Sequence, residues 1–188
     1  NWLTSGDALT GAYSFSDAST MAGIDRSTAL NIYGTIYVIP TEDEWYKAAY
    51  LKSDGSGYTL YATGESIPTA GIDSNYASAN VQPWNIGTGT IENNGTYDMG
   101  GNVWEWAEGA YDGTLDSLSE NRVKRGGARN SNVNGIKSSG RNSLSPNTTD
   151  VTNGFRLVSI TNVAVPEPSS AGLLAIGTVG FLLHRKRK

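Results

Sequence analysis

The stretch YDMGGNVWEWAEG, residues 97–109, holds the densest set of groups able to do chemistry. Side chains alternate in an extended segment, so Asn102, Trp104 and Trp106 point one way while Val103 and Glu105 point the other. Two tryptophans on one face predict that this face packs into the core. Carboxylate and carbonyl oxygens near the Gly-Gly turn can wrap a hard cation such as Ca2+, which takes six to eight oxygens and tolerates irregular geometry. The same residues also allow a second arrangement, in which Glu105 is buried and held by hydrogen bonds or by an arginine.

What the chain lacks narrows the chemistry further. It has no cysteine, and its single histidine, His184, sits among the last five residues. These residues cannot assemble a thiolate nucleophile, a Ser-His-Asp triad, a Cys/His zinc site or a facial-triad iron site. Carboxylates, Lys, Tyr and hydroxyls remain, with Asp43, Glu108 and Asp112 as the carboxylates that an enzyme of other chemistry would use. No disulfide can staple the fold, so the core, or bound ions, must hold it.

The clearest positioning element is IYVIPTEDEWYKAAYLK. Ile36 to Ile39 is a short β-branched run that Pro40 stops, and Thr41 with Glu44 makes a capping box for a helix from about Glu42 to Leu51, with Trp45, Ala48 and Ala49 on one face. Beyond it, turn signals at Asp54-Gly55, Asn94-Gly95, Asn134-Gly135 and Asn153-Gly154 punctuate short segments, and no second helix is predicted. Ten Tyr, five Trp and 38% hydrophobic residues supply a core, while 23 Gly interrupt it. The expectation is an irregular, loop-rich α+β domain over residues 1–160, a linker over 161–165, and a separate tail. Without the four basic residues that end the chain, ten Lys and Arg face eighteen Asp and Glu, a charge of about −8. Nucleic acid is therefore not an expected partner.

The tail, VPEPSSAGLLAIGTVGFLLHRKRK, combines Pro166-Glu167-Pro168, thirteen apolar residues from Ala171 to Leu183, and the basic end Arg185, Lys186, Arg187 and Lys188. As a helix the apolar run would reach roughly 20 Å, short of a bilayer core of about 30 Å. It could cross transiently, with the basic end in the cytoplasm, or stay as an anchor. The order resembles the PEP-CTERM sorting signal of Gram-negative bacteria. That resemblance implies an exosortase partner, transient residence in the inner membrane, and release to the cell envelope or outside. It also demands an export signal, whereas the chain opens NWLTSGDALT; a longer protein is expected, whose preceding part completes the same domain.

Three further segments, IPTEDEWYKAAY, GTYDMGGNVWEWAEG and RGGARNSNVNGIKSSGRNSLSPNTTDVTNGFRLV, resemble in that order the marks of the formylglycine-generating enzyme, or sulfatase-modifying factor, family. The resemblance implies the C-terminal part of an irregular fold related to C-type lectins. It implies a calcium site on the side chains of Asp98 and Glu105 and the carbonyls of Gly101 and Val103. A second site would begin at Asn80 and Val81, for which no acidic partner follows downstream. Active relatives bind Cu(I) with two cysteines in the third segment, where this chain offers Ser131, Ser138 and Ser139. A hydroxyl is a hard ligand of high pKa, so copper-dependent formylglycine generation is excluded for these residues. Arg125, Arg141 and Arg156 are expected to make ion pairs and backbone bonds. Trp84, Tyr97 and Tyr111 line either the core or a cleft. The expected function is a non-catalytic exported domain that binds envelope polysaccharide or protein; the alternatives are an enzyme of different chemistry, or one completed by preceding residues, and a purely structural envelope protein.

Overall fold

Thr41 starts the predicted helix as its capping box requires: its Oγ1 accepts the Glu44 N–H at 3.2 Å, and Glu44 Oε2 accepts the Thr41 N–H at 2.7 Å. Glu42, Asp43 and Glu44 occupy the first turn, where negative charge complements the helix dipole. In the computed structural model, which describes residues 1–17 and 21–162, the elements in chain order are α1 (Trp2–Ser5), β1 (Tyr13–Phe15), β2 (Met21–Ile24), α2 (Arg26–Tyr33), β3 (Thr35–Val38), α3 (Glu42–Tyr50), β4 (Trp104–Ala110), β5 (Arg122–Arg125), β6 (Arg141–Leu144), β7 (Asn153–Gly154) and β8 (Val158–Thr161). The residues from 163 on, including Pro166-Glu167-Pro168 and Arg185 to Lys188, lie outside the described residues. Among the described residues no helix is long and apolar enough to cross a membrane.

The strands form three small sheets. β1 and β2 make an antiparallel pair, β3 pairs antiparallel with β8, and the largest sheet runs β6-β5-β4-β7 with β7 parallel to β4. Trp45, Ala49 and Tyr50 of α3 are fully buried and pack with Ala62 and Met99. A second cluster joins Ala12, Ala29, Ile36 and Val38, so β3 carries the predicted β-branched run into the core.

Three local expectations give way. α2 forms although no second helix is predicted: Asp25 accepts the Thr28 N–H at 2.9 Å and Gly34 ends the helix at φ 70. Both caps are written in the sequence, but the helix buries only Ala29, so no apolar stripe announces it. Asn153-Gly154 is not a turn but β7, because Trp104 and Glu105 offer it a strand edge. On β4 the buried side chains are Glu105, Ala107 and Ala110, while Trp104 and Trp106 are half-buried. The tryptophan face is the outer one.

Between Leu51 and Val103 no regular helix or strand forms, and scattered backbone bonds together with side-chain bonds order the chain. Asn102, buried at φ 64, donates its N–H to Asn75 O at 2.7 Å and accepts the Arg129 N–H at 2.9 Å, while its Oδ1 accepts the Trp84 N–H at 2.9 Å. Gly126, at φ 86, allows a close approach, since a Cβ would sit 2.6 Å from Met99 O and 3.1 Å from the Trp45 ring.

Candidate functional site

A carboxylate on the buried face of β4 must find donors, because an unpaired buried charge is costly. Glu105, 6% exposed, finds three. Trp45 Nε1 donates to Oε2 at 2.6 Å, Arg156 Nε to Oε2 at 2.5 Å, and Arg156 Nη2 to Oε1 at 2.6 Å. Arg156 also donates to Tyr97 O at 3.2 Å. Burial works against its charge, yet the bonds to Glu105 and the charges of Glu105, Glu92 and Asp98 hold its pKa above the ordinary value. The guanidinium thus bonds one carboxylate directly and feels the charge of two more from the preceding loop.

The other two are engaged as well. Asp98, at φ 61, accepts Trp84 Nε1 at 2.5 Å and the Gly87 N–H at 2.9 Å, one on each oxygen. Glu92 accepts the N–H groups of Met99 at 2.8 Å and Gly100 at 3.2 Å, and the Thr96 hydroxyl at 2.8 Å. Its carboxyl is pushed up to about 7 by burial, against the lowering effect of these bonds and of Arg156.

By the resemblance Asp98, Gly101, Val103 and Glu105 would hold calcium; here the side chains of Asp98 and Glu105 face donors of the chain. Both oxygens of each carboxylate already accept donors of the chain, and the cation facing Glu105 is Arg156. At the second implied site, Asn80 donates to Asn75 Oδ1 at 3.3 Å and Val81 is exposed. Among the described residues no group of three His, Cys, Asp or Glu is placed to hold a metal ion.

The remaining arginines act as expected. Arg125, 2% exposed, donates to Gly140 O and to Ser138 O at 2.6 Å, and faces Glu42 at 3.6 Å. Arg141 Nε bonds Glu42 at 2.8 Å, with its guanidinium 4.3 Å from the Tyr111 ring centroid. Ser131 Oγ accepts the Ala128 N–H at 2.9 Å in a tight turn, and Ser138 donates its N–H to Leu60 O at 2.9 Å. Of the candidate catalytic carboxylates, Asp43 and Asp112 are exposed, and Glu108 is paired with Arg26 at 2.6 Å.

Sequence reading did not anticipate the cavity of about 330 Å3 between the β1–β2 pair and the Trp106–Glu108 stretch of β4, with Arg122 of β5. Tyr13, Phe15, Met21, Ile24 and Trp106 form apolar walls, with Glu108 and Arg122 as polar members. The hairpin that closes it pairs over only a few residues, a signal too short to read. Tyr13 accepts the Ile39 N–H at 2.9 Å, and burial, followed by the charge of Glu108, drives its phenol well above the ordinary value.

Few regular elements, long loops ordered by backbone and side-chain bonds, and a site assembled from distant segments define a loop-rich α+β domain. The chain belongs to the sulfatase-modifying factor enzyme 1-like domain family, whose profile matches residues 7–160; the PEP-CTERM protein-sorting motif matches residues 164–188. No curated protein matches. Similar solved structures include CarF (24% identity, TM-score 0.54, covering 68% of this chain and 48% of that one). Treponema denticola variable protein 1 is similar at 23% identity and TM-score 0.56, covering 67% of this chain and 48% of that one. PvdO from Pseudomonas aeruginosa is similar at 17% and 0.55, covering 71% of this chain and 56% of that one. At these identities the likeness is one of fold, and this chain spans about half the length of each.

Two outcomes follow from the carboxylate cluster. Excess calcium and excess chelator should give the same melting temperature, while Arg156→Ala should cost about 3–5 kcal/mol in denaturant unfolding, because it strands Glu105; a calcium-dependent rise in melting would contradict this. For Glu92 the folded pKa lies above the unfolded value. Its contribution to stability is therefore fully present below the unfolded pKa of 4.5 and is lost as pH rises through about 7. Glu92→Gln keeps the acceptor for Met99 and Gly100, so its stability relative to the native protein should rise between those pH values and then level off. A flat difference would remove the raised pKa.

Proposed function

We propose that this chain is a non-catalytic, ligand-binding member of its family, exported and sorted by an exosortase to the cell envelope or the outside after transient residence in the inner membrane. The single observation that carries the binding role is the cavity beside Trp106, whose aromatic and aliphatic walls suit the apolar face of a sugar ring and whose Glu108 and Arg122 can orient polar groups. Envelope polysaccharide is the ligand class, with a protein ligand as the other outcome. A C-type-lectin-like fold would be a natural host, since such folds carry different functions on different surfaces. The absence of cysteine supports the non-catalytic half of the reading, because no thiolate is present to bind Cu(I).

The test uses the full chain. Fragments of envelope polysaccharide should change its tryptophan fluorescence saturably, and Trp106→Ala should weaken that binding at least about tenfold, or about 1.4 kcal/mol. Failure of every fragment to bind would contradict the proposed ligand, and conversion of a sulfatase-type cysteine peptide to formylglycine would contradict the non-catalytic reading.

A further inference from the structure

Lys124 is 8% exposed, and among the described residues no carboxylate lies within ion-pair distance of its ammonium. Its neighbours on β5 are better served: Arg122 donates to Glu108 O and Leu118 O, and Arg125 to Gly140 O and Ser138 O. The Lys124 ammonium has three N–H groups. One is accounted for by Asn153 Oδ1 at 3.2 Å, and the group lies 5.4 Å from the Trp104 ring centroid. The Asn153 amide nitrogen is itself buried and has no acceptor. Asp150, whose Oδ1 is taken by the N–H and hydroxyl of Thr152 at 2.7 Å, is exposed and acts on Lys124 only at longer range.

A buried donor without an acceptor is costly, and one beside a buried ammonium that has a single hydrogen-bond acceptor calls for an anionic oxygen ligand. The register places that ligand. Trp106 lies opposite Lys124, and Trp104 lies opposite Asn153, so two indoles and two donor groups share the outer face of the sheet. Trp106 is also a wall of the cavity. We propose that Lys124 and Asn153 form an oxyanion subsite that receives the acidic group of a saccharide whose ring rests against Trp104 and Trp106. The saccharide part rests on the proposed function; the oxyanion part does not. Burial lowers the Lys124 pKa while the charge of Asp150 opposes it, so a bound anion should restore the ammonium's basicity.

The experiment titrates the full chain with sodium glucuronate, glucose and sodium sulfate at constant ionic strength, reading tryptophan fluorescence. The native protein should bind glucuronate at least tenfold more tightly than glucose. Lys124→Met should abolish this preference. Asn153→Asp, which supplies Lys124 with an internal carboxylate, should abolish it too while keeping the lysine, and so serves if Lys124→Met does not fold. Binding of sulfate that depends on Lys124, without binding of either sugar, would uphold the oxyanion subsite and overturn the saccharide reading. No preference in the native protein together with no sulfate binding, or a preference that survives both substitutions, would overturn the subsite.

Discussion

The buried carboxylate of Glu105 is the constraint around which the domain is arranged. A charge at that depth has to be neutralised and hydrogen-bonded, and breaking such a pair costs more than making it gains. Trp45 comes from α3, Glu105 from β4 and Arg156 from the segment before β8, so satisfying one side chain joins the helix, the main sheet and the end of the domain. Arg156 then reaches Tyr97 O, which ties in the long loop region between α3 and β4. In a chain without disulfides, whose three sheets have at most four strands, these polar cross-links supplement a divided core.

The same economy governs the segment from Arg125 onward. Gly126 is required because Met99 O and the Trp45 ring lie against its backbone, and Arg125 because it holds Gly140 O and Ser138 O of the following loop. None of these roles needs a thiolate. Ser131 closes a turn on Ala128, a role its hydroxyl serves well. The opposite face of the sheet carries Trp104, Trp106 and Lys124, and Trp106 also lines the adjoining cavity.

Local interactions were legible in the sequence, and distant ones were not. The capping box of α3 spans three residues, so Thr41 and Glu44 could be read directly. The caps of α2 were as plain, but its weak apolar face concealed the helix. At Asn153-Gly154 the turn chemistry lost to a strand edge supplied by β4, nearly fifty residues away in the chain. The outward placement of Trp104 and Trp106 follows from the same kind of contact: α3 and Arg156 claim the inner side of β4 for Glu105, and nothing in the alternation of side chains says which face is inner. Arg156 and Glu105 could each be named from the resemblance, yet their pairing is a tertiary fact.

The most direct measurement of this account is a double-mutant cycle between Glu105 and Arg156, using Glu105→Gln, Arg156→Met and the double variant, unfolded by denaturant in the presence of chelator. A coupling energy of about 2 kcal/mol or more is predicted, since each single change strands the other partner while the double change removes both charges. Additivity within about 0.5 kcal/mol, with each single variant close to native stability, would contradict the claim that this ion pair organises the domain.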